Sequence, residues 1–150
     1  MDYLENLDMP ALEIAKKRLR AFAYVIDLII FMVAFGLIAG IFGERVYDRY
    51  GTLTWSVSGF PAFMVFVMWL LIFPIAEGIS GQTIGKRIIT IKVVTIDERK
   101  TTILLSFVRH LFDIIDCFFF GVVGLLIMSN NKLHQRLGDL VAKTIVVMKQ

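Results

Sequence analysis

The chain has 150 residues, a formal charge of +3 and a composition that is 57% hydrophobic, with 13 Phe and 3 Pro. A soluble domain of this size needs more polar surface to cover its core, so the composition points to an integral membrane protein built as one domain. The basic residues flank apolar runs instead of forming one face, which argues against a nucleic-acid partner. The single cysteine, Cys117, lies in an apolar stretch and offers no internal disulfide.

Residues 1–19 form a polar N-terminal segment that ends on Lys16, Lys17 and Arg18, with Arg20 just beyond. The run that follows, 20–42, is long enough to cross a ~30 Å hydrocarbon layer at ~1.5 Å per residue. A cleaved signal peptide does not fit, because an acidic segment precedes the run and the run exceeds the usual apolar core of such signals. Residues 43–59 carry Arg45 and Arg49 balanced by Glu44 and Asp48. A second span is expected over 60–79, with Pro74 kinking it near its end and Glu77 just after. The loop 80–102 is basic again, with Lys86, Arg87, Lys92, Arg99 and Lys100. The positive-inside rule therefore predicts a cytoplasmic N-terminus and a cytoplasmic 80–102 loop, in a multi-pass protein of the cell membrane.

A third helical segment is expected over 103–128, started by Thr101 or Thr102 as a cap. Its first half is amphipathic and its second half apolar. A straight span would leave the tail, 129–150, outside, although it carries Lys132, Arg136, Lys143 and Lys149. The β-branched stretches Ile88–Asp97 and Thr144–Met148 read as short strands, and they can pair only on one side of the membrane. Both points favour a third segment that bends near Gly121 and Gly124 and returns the tail. The expected fold is thus an all-α membrane protein with about three hydrophobic helical segments and a small cytoplasmic strand pair.

Two charged pairs stand out within these apolar runs. Arg20 precedes Asp27 by seven residues, and Arg109 precedes Asp116 by seven. That step returns to within ~20° of one helix face, ~10 Å further along. Charges in hydrocarbon cost roughly 2.5–3.5 kcal/mol on insertion scales and therefore seek partners or a water-filled path. The spacing predicts one cluster of crossed Arg–Asp pairs, with Asp27, Asp116, Arg20 and Arg109 as ion- or proton-site candidates. Asp113, on the same stripe as Arg109, is a secondary candidate. The rival reading of these charges is structural, since a buried pair that fixes helix docking is reason enough for its presence.

Other features favour ordinary readings. Glu77 is expected at the interface as an ordinary carboxylate, with a role in a polar cavity as the alternative. Gly85-Lys86 suggests a phosphate loop but fails the template, because Ser80 stands at its first glycine and Arg87 replaces its Ser or Thr. Lys86 and Arg87 instead suit anionic lipid headgroups. His110 and His134 do not form a metal-binding pair on one helix. No nucleophile has a nearby base in sequence, so neither an enzyme nor a cofactor or metal is expected.

Three motifs, in order, resemble the RDD family of small membrane proteins. They are Arg20-xx-Ala23-xxx-Asp27, then Glu77-xxx-Gly81-x-Thr83-x-Gly85-Lys86-Arg87, then the tail from Gln135 to Val147. The resemblance maps the family's Arg and first Asp onto Arg20 and Asp27, and its second Asp onto Asp139 or Asp116. Where members often have Ala-Gly-Thr, this chain has Ala142-Lys143-Thr144, which questions a glycine-dependent turn there. Cation/proton exchange has been proposed for a member, and others look like accessory subunits. The resemblance therefore implies proton-coupled movement of monovalent cations, or else a non-transporting adaptor in a homo-oligomer or larger membrane complex.

Overall fold

The computed structural model describes residues 12–47, 49–118 and 122–149, with side chains throughout except at 114–118, 122, 123 and 125. Helix α1, Lys17–Phe42, is a continuous apolar rod whose Phe22, Ile29, Val33, Leu37 and Ile41 face outward. After Gly43 the chain makes an antiparallel hairpin, β1 (Glu44–Tyr47) with β2 (Leu53–Ser56), pairing Arg45 with Trp55. It then returns through α2 (Phe60–Leu70), a π-helical turn (Leu71–Ile75) and α3 (Ala76–Ser80), which run on as one helix. α1 and Phe60–Ser80 are both long and apolar enough to cross a membrane.

Pro74 explains the π turn. It has no N–H to give and its ring crowds the carbonyl four residues back, so the helix widens. Ala76 accordingly donates to Leu71 O, five residues behind it. The helix ends where Gly81 takes a left-handed φ of 73° and donates to Glu77 O at 2.7 Å.

Short elements follow: α4 (Ile84–Ile88), β3 (Ile91–Thr95), α5 (Ile103–Phe118), α6 (Val122–Ser129), α7 (Leu137–Val141) and β4 (Thr144–Met148). β3 and β4 pair antiparallel, Ile91 with Met148 through Thr95 with Thr144. Ile14 bridges Val147, and Ala15 N–H donates to Val146 O at 2.9 Å. The start of α1 is thereby tied to the same sheet. Ala15, Ala23, Ile91, Val93 and Val146 form a tight core between sheet and helix.

The paired β-branched segments are strands as expected, but the first is shorter. Ile88 closes α4, and Thr90 turns the chain at a φ of 57° before β3 begins. The β1–β2 hairpin occupies a loop in which no structure was expected. Thr102 caps α5 through its hydroxyl, which accepts from Leu105 N at 3.3 Å. The stretch expected as a third segment holds α5 and α6; of the two glycines at which a bend was expected, Gly121 lies outside the described residues and Gly124 lies within α6. α5 is amphipathic: Ser106, Arg109 and His110 are buried, while Leu104 and Leu111 are exposed.

Candidate functional site

Arg20, Ala23 and Asp27 are buried along one face of α1. Ala23 is small because α4 lies directly on it: a Cβ at Gly85 would overlap the Ala23 carbonyl and come within 2.9 Å of the Asp27 carboxylate. This close approach lets the Gly85 N–H donate to Asp27 Oδ1 at 2.7 Å. Thr83 caps α4 by accepting from Lys86 N, and its own hydroxyl donates to Asp27 Oδ2 at 2.5 Å. Asp27 is thus held by two neutral donors. Among the described residues it takes part in no ion pair within 4.0 Å.

Of the expected cluster of crossed Arg–Asp pairs, the two arginines do come together, but among the described residues neither forms an ion pair with Asp27. Seven residues place Arg20 and Asp27 on one face but two turns apart, and each reaches sideways to its own partner. Arg20 forms an ion pair with Asp139 on α7 and also donates to the His134 carbonyl. Arg109 reaches the same carboxylate, through Nε at 3.0 Å and Nη2 at 2.8 Å. The Arg136 N–H completes the set at 3.0 Å. Burial acts to raise the Asp139 carboxyl, but Arg109 and Arg20 outweigh it and hold it well below the usual carboxylate range. The Asp116 side chain lies outside the described residues. The acid on which the two arginines converge is Asp139.

Glu77 was expected at an interface, but the structure buries it completely. Arg109 Nη1 donates to it at 2.7 Å, Ser106 Oγ donates at 2.8 Å, and the Lys86 ammonium forms an ion pair with its other oxygen. The helix closure by Gly81 turns the chain back, so that Lys86, nine residues on, points at Glu77. Lys86 is therefore spent inside the protein and not on headgroups, while Arg87 is exposed. Burial lowers the Lys86 ammonium, and Glu77 opposes that shift.

Beside this network His110 Nδ1 lies 2.7 Å from Asp113 Oδ2, and Arg136 stands 4.0 Å from the other Asp113 oxygen. His110 Nε2 is buried with no hydrogen-bond partner among the described residues, 3.6 Å from Glu77 Oε1. A small cavity of about 40 Å³ opens between these groups, lined by Asp27, Thr83, Lys86, Arg109, His110 and Asp113 among others. It has room for water. Sequence reasoning did not single out Thr83, Lys86 or His110 as members of this cluster. The signal available for the first two was the Glu77-to-Arg87 motif, in which every fixed position but the exposed Arg87 has a role here.

Two membrane-length apolar helices, clamped at one end by a buried network of arginines and carboxylates, define a small membrane protein. It belongs to the RDD family, whose sequence model matches residues 14–143. No curated protein and no solved structure matches the chain.

Proposed function

We propose that this is a multi-pass protein of the cell membrane, N-terminus and β3–β4 sheet in the cytoplasm, that exchanges protons for a monovalent cation at Asp27. One observation carries the reading. Glu77 and Asp139 are neutralised by guanidinium and ammonium groups, whereas among the described residues Asp27 meets a hydroxyl and a backbone N–H and no cation. A carboxylate left without a counter-charge inside a span gains most from a proton or a cation. It also borders the cavity, which gives either one a place to arrive. The basic residues of the N-terminus, the 80–102 loop and the tail support the orientation.

The second reading is a non-transporting adaptor in a larger membrane complex or homo-oligomer. It is favoured by the convergence of Arg20 and Arg109 on Asp139, which locks α1, α5 and α7 together. Proteoliposomes of the pure protein separate the two, with internal pH followed as sodium, lithium or potassium is added. Cation-dependent proton flux that Asp27→Asn abolishes in folded protein supports exchange. Absence of flux under every gradient, with co-purification of a larger complex, supports the adaptor.

A further inference from the structure

The exchange reading uses Asp27 but leaves one buried titratable group of the same cavity without a role. His110 projects from α5 between Glu77 on α3 and Asp113 one turn along its own helix, with the Phe73 ring against it at 5.5 Å. Its two nitrogens differ sharply. Asp113 accepts, so Nδ1 carries a hydrogen, and the neutral ring must then present a bare lone pair at Nε2. That lone pair finds no donor among the described residues and faces the Glu77 carboxylate at 3.6 Å. Two acceptors facing each other in a buried site are unfavourable, whereas a proton on Nε2 would convert the contact into an ion pair.

Charge balance points the same way. Arg20, Lys86, Arg109 and Arg136 stand among Asp27, Glu77, Asp113 and Asp139, four cations with four carboxylates. Asp27 and His110 can hold one proton between them without changing the net charge of the cluster. With the proton on Asp27 the imidazole is neutral. With it on His110, Asp27 is the carboxylate that Thr83 and Gly85 solvate.

We infer that His110 is a second proton-binding site of this cavity and exchanges its proton with Asp27 through cavity water. The inference rests on the reading of Asp27 as the proton site. In the transfer the Asp27 carboxyl O–H bond breaks, water relays the proton, and an N–H bond forms at His110 Nε2, leaving a carboxylate and an imidazolium. The groups facing the ring set its response: Glu77 from α3, Lys86 from α4, Arg20 and Asp27 from α1, Arg136 and Asp139 from the α7 region, and Arg109 and Asp113 from its own helix.

The test is nitrogen-15 magnetic resonance of the two histidines in lipid bilayers from pH 5 to pH 9, with His134→Gln assigning the signals. His110 is expected to pass between a neutral ring protonated at Nδ1 and an imidazolium. Its midpoint is expected to fall in Asp27→Asn by on the order of half a pH unit or more. Thr83→Val, which removes the hydroxyl that holds the Asp27 carboxylate, should move it the same way and replaces Asp27→Asn if that variant does not fold. A ring fixed in one form across the range, or a midpoint indifferent to the variant that folds, overturns the assignment. The resonance reports protonation whether or not cations move, so its failure is distinct from failure of the exchange reading. Flux lost in Asp27→Asn but unchanged in His110→Gln would keep exchange and overturn the role of His110.

Discussion

Gly85 sits so close to α1 that its backbone N–H reaches the Asp27 carboxylate at 2.7 Å. The missing side chain at 85 and the small one at Ala23 are two halves of one contact, and the polar site exists because that contact is tight. Gly138 repeats the device on the other flank, where a Cβ would come 2.6 Å from the Arg109 carbonyl.

Gly85→Ala is therefore expected to destabilise the protein by about 1–3 kcal/mol, because the new methyl meets backbone that cannot swing aside. Gly36→Ala is the control, since a Cβ there meets nothing within 4 Å. Thermal unfolding in detergent checks the pair. Equal midpoints for the two variants would refute the close approach.

Asp139→Asn removes the carboxylate that two buried arginines share. Breaking a buried pair from one side costs about 3–5 kcal/mol, because the remaining charge keeps its desolvation and loses its partner. Arg99→Ala breaks the exposed pair with Asp97 and should cost less than about 1 kcal/mol. Comparing the two in one detergent shows whether location or mere ion pairing decides.

The acid limb of stability follows from the same residue. Folded Asp139 titrates below its unfolded value of about 4, so its contribution is complete above that value. It is lost as pH falls through the lower folded value. Thermal midpoints should drop as pH falls below about 4, and the drop should be shallower in Asp139→Asn.

Much of this arrangement is legible in the sequence, up to a definite limit. The apolar runs give the two membrane-length helices, because length and apolarity decide whether a helix is able to cross. The β-branched run Thr144–Met148 gives β4, and Arg20, Ala23 and Asp27 announce a shared helix face. Their partners are another matter. Asp27 is bonded by residues 56 and 58 positions away, and Arg20 by one 119 away. Helical periodicity cannot reach across that distance. Glu77 next to a kink looks interfacial because nothing local reveals that Gly81 turns Lys86 back onto it.

Lys143 illustrates a local departure. The doubt raised by a lysine where glycine is common concerns a turn that the structure nonetheless makes: Lys143 adopts a φ of 51°, and its carbonyl accepts from Ile96 N at 2.9 Å. An L side chain in this region costs roughly 1–2 kcal/mol, part of which glycine returns as chain entropy. Lys143→Gly should therefore raise stability by about 0.5–1 kcal/mol, read as a higher unfolding midpoint. A lower midpoint would show that the lysine makes a compensating contact.

The last prediction concerns which ends share a side. Residues 14 and 15 pair with β4, and β4 pairs with β3, so the segment just before α1, the 80–102 loop and the tail strand belong together. The β1–β2 hairpin joins the far ends of the two membrane-length helices. With Cys117→Ala as background, single cysteines at exposed Arg18, Lys100 and Lys149 should label from one face with a membrane-impermeant maleimide. One at Tyr50, 90% exposed beside the hairpin, should label from the opposite face. On the proposed orientation, with the first face cytoplasmic, intact cells should protect those three positions and label Tyr50→Cys. Labelling of Lys149→Cys together with Tyr50→Cys from outside would mean that the β3–β4 pair does not form in the membrane. A bend returning the third segment would then lose its main support, since only strand pairing requires the tail to come back.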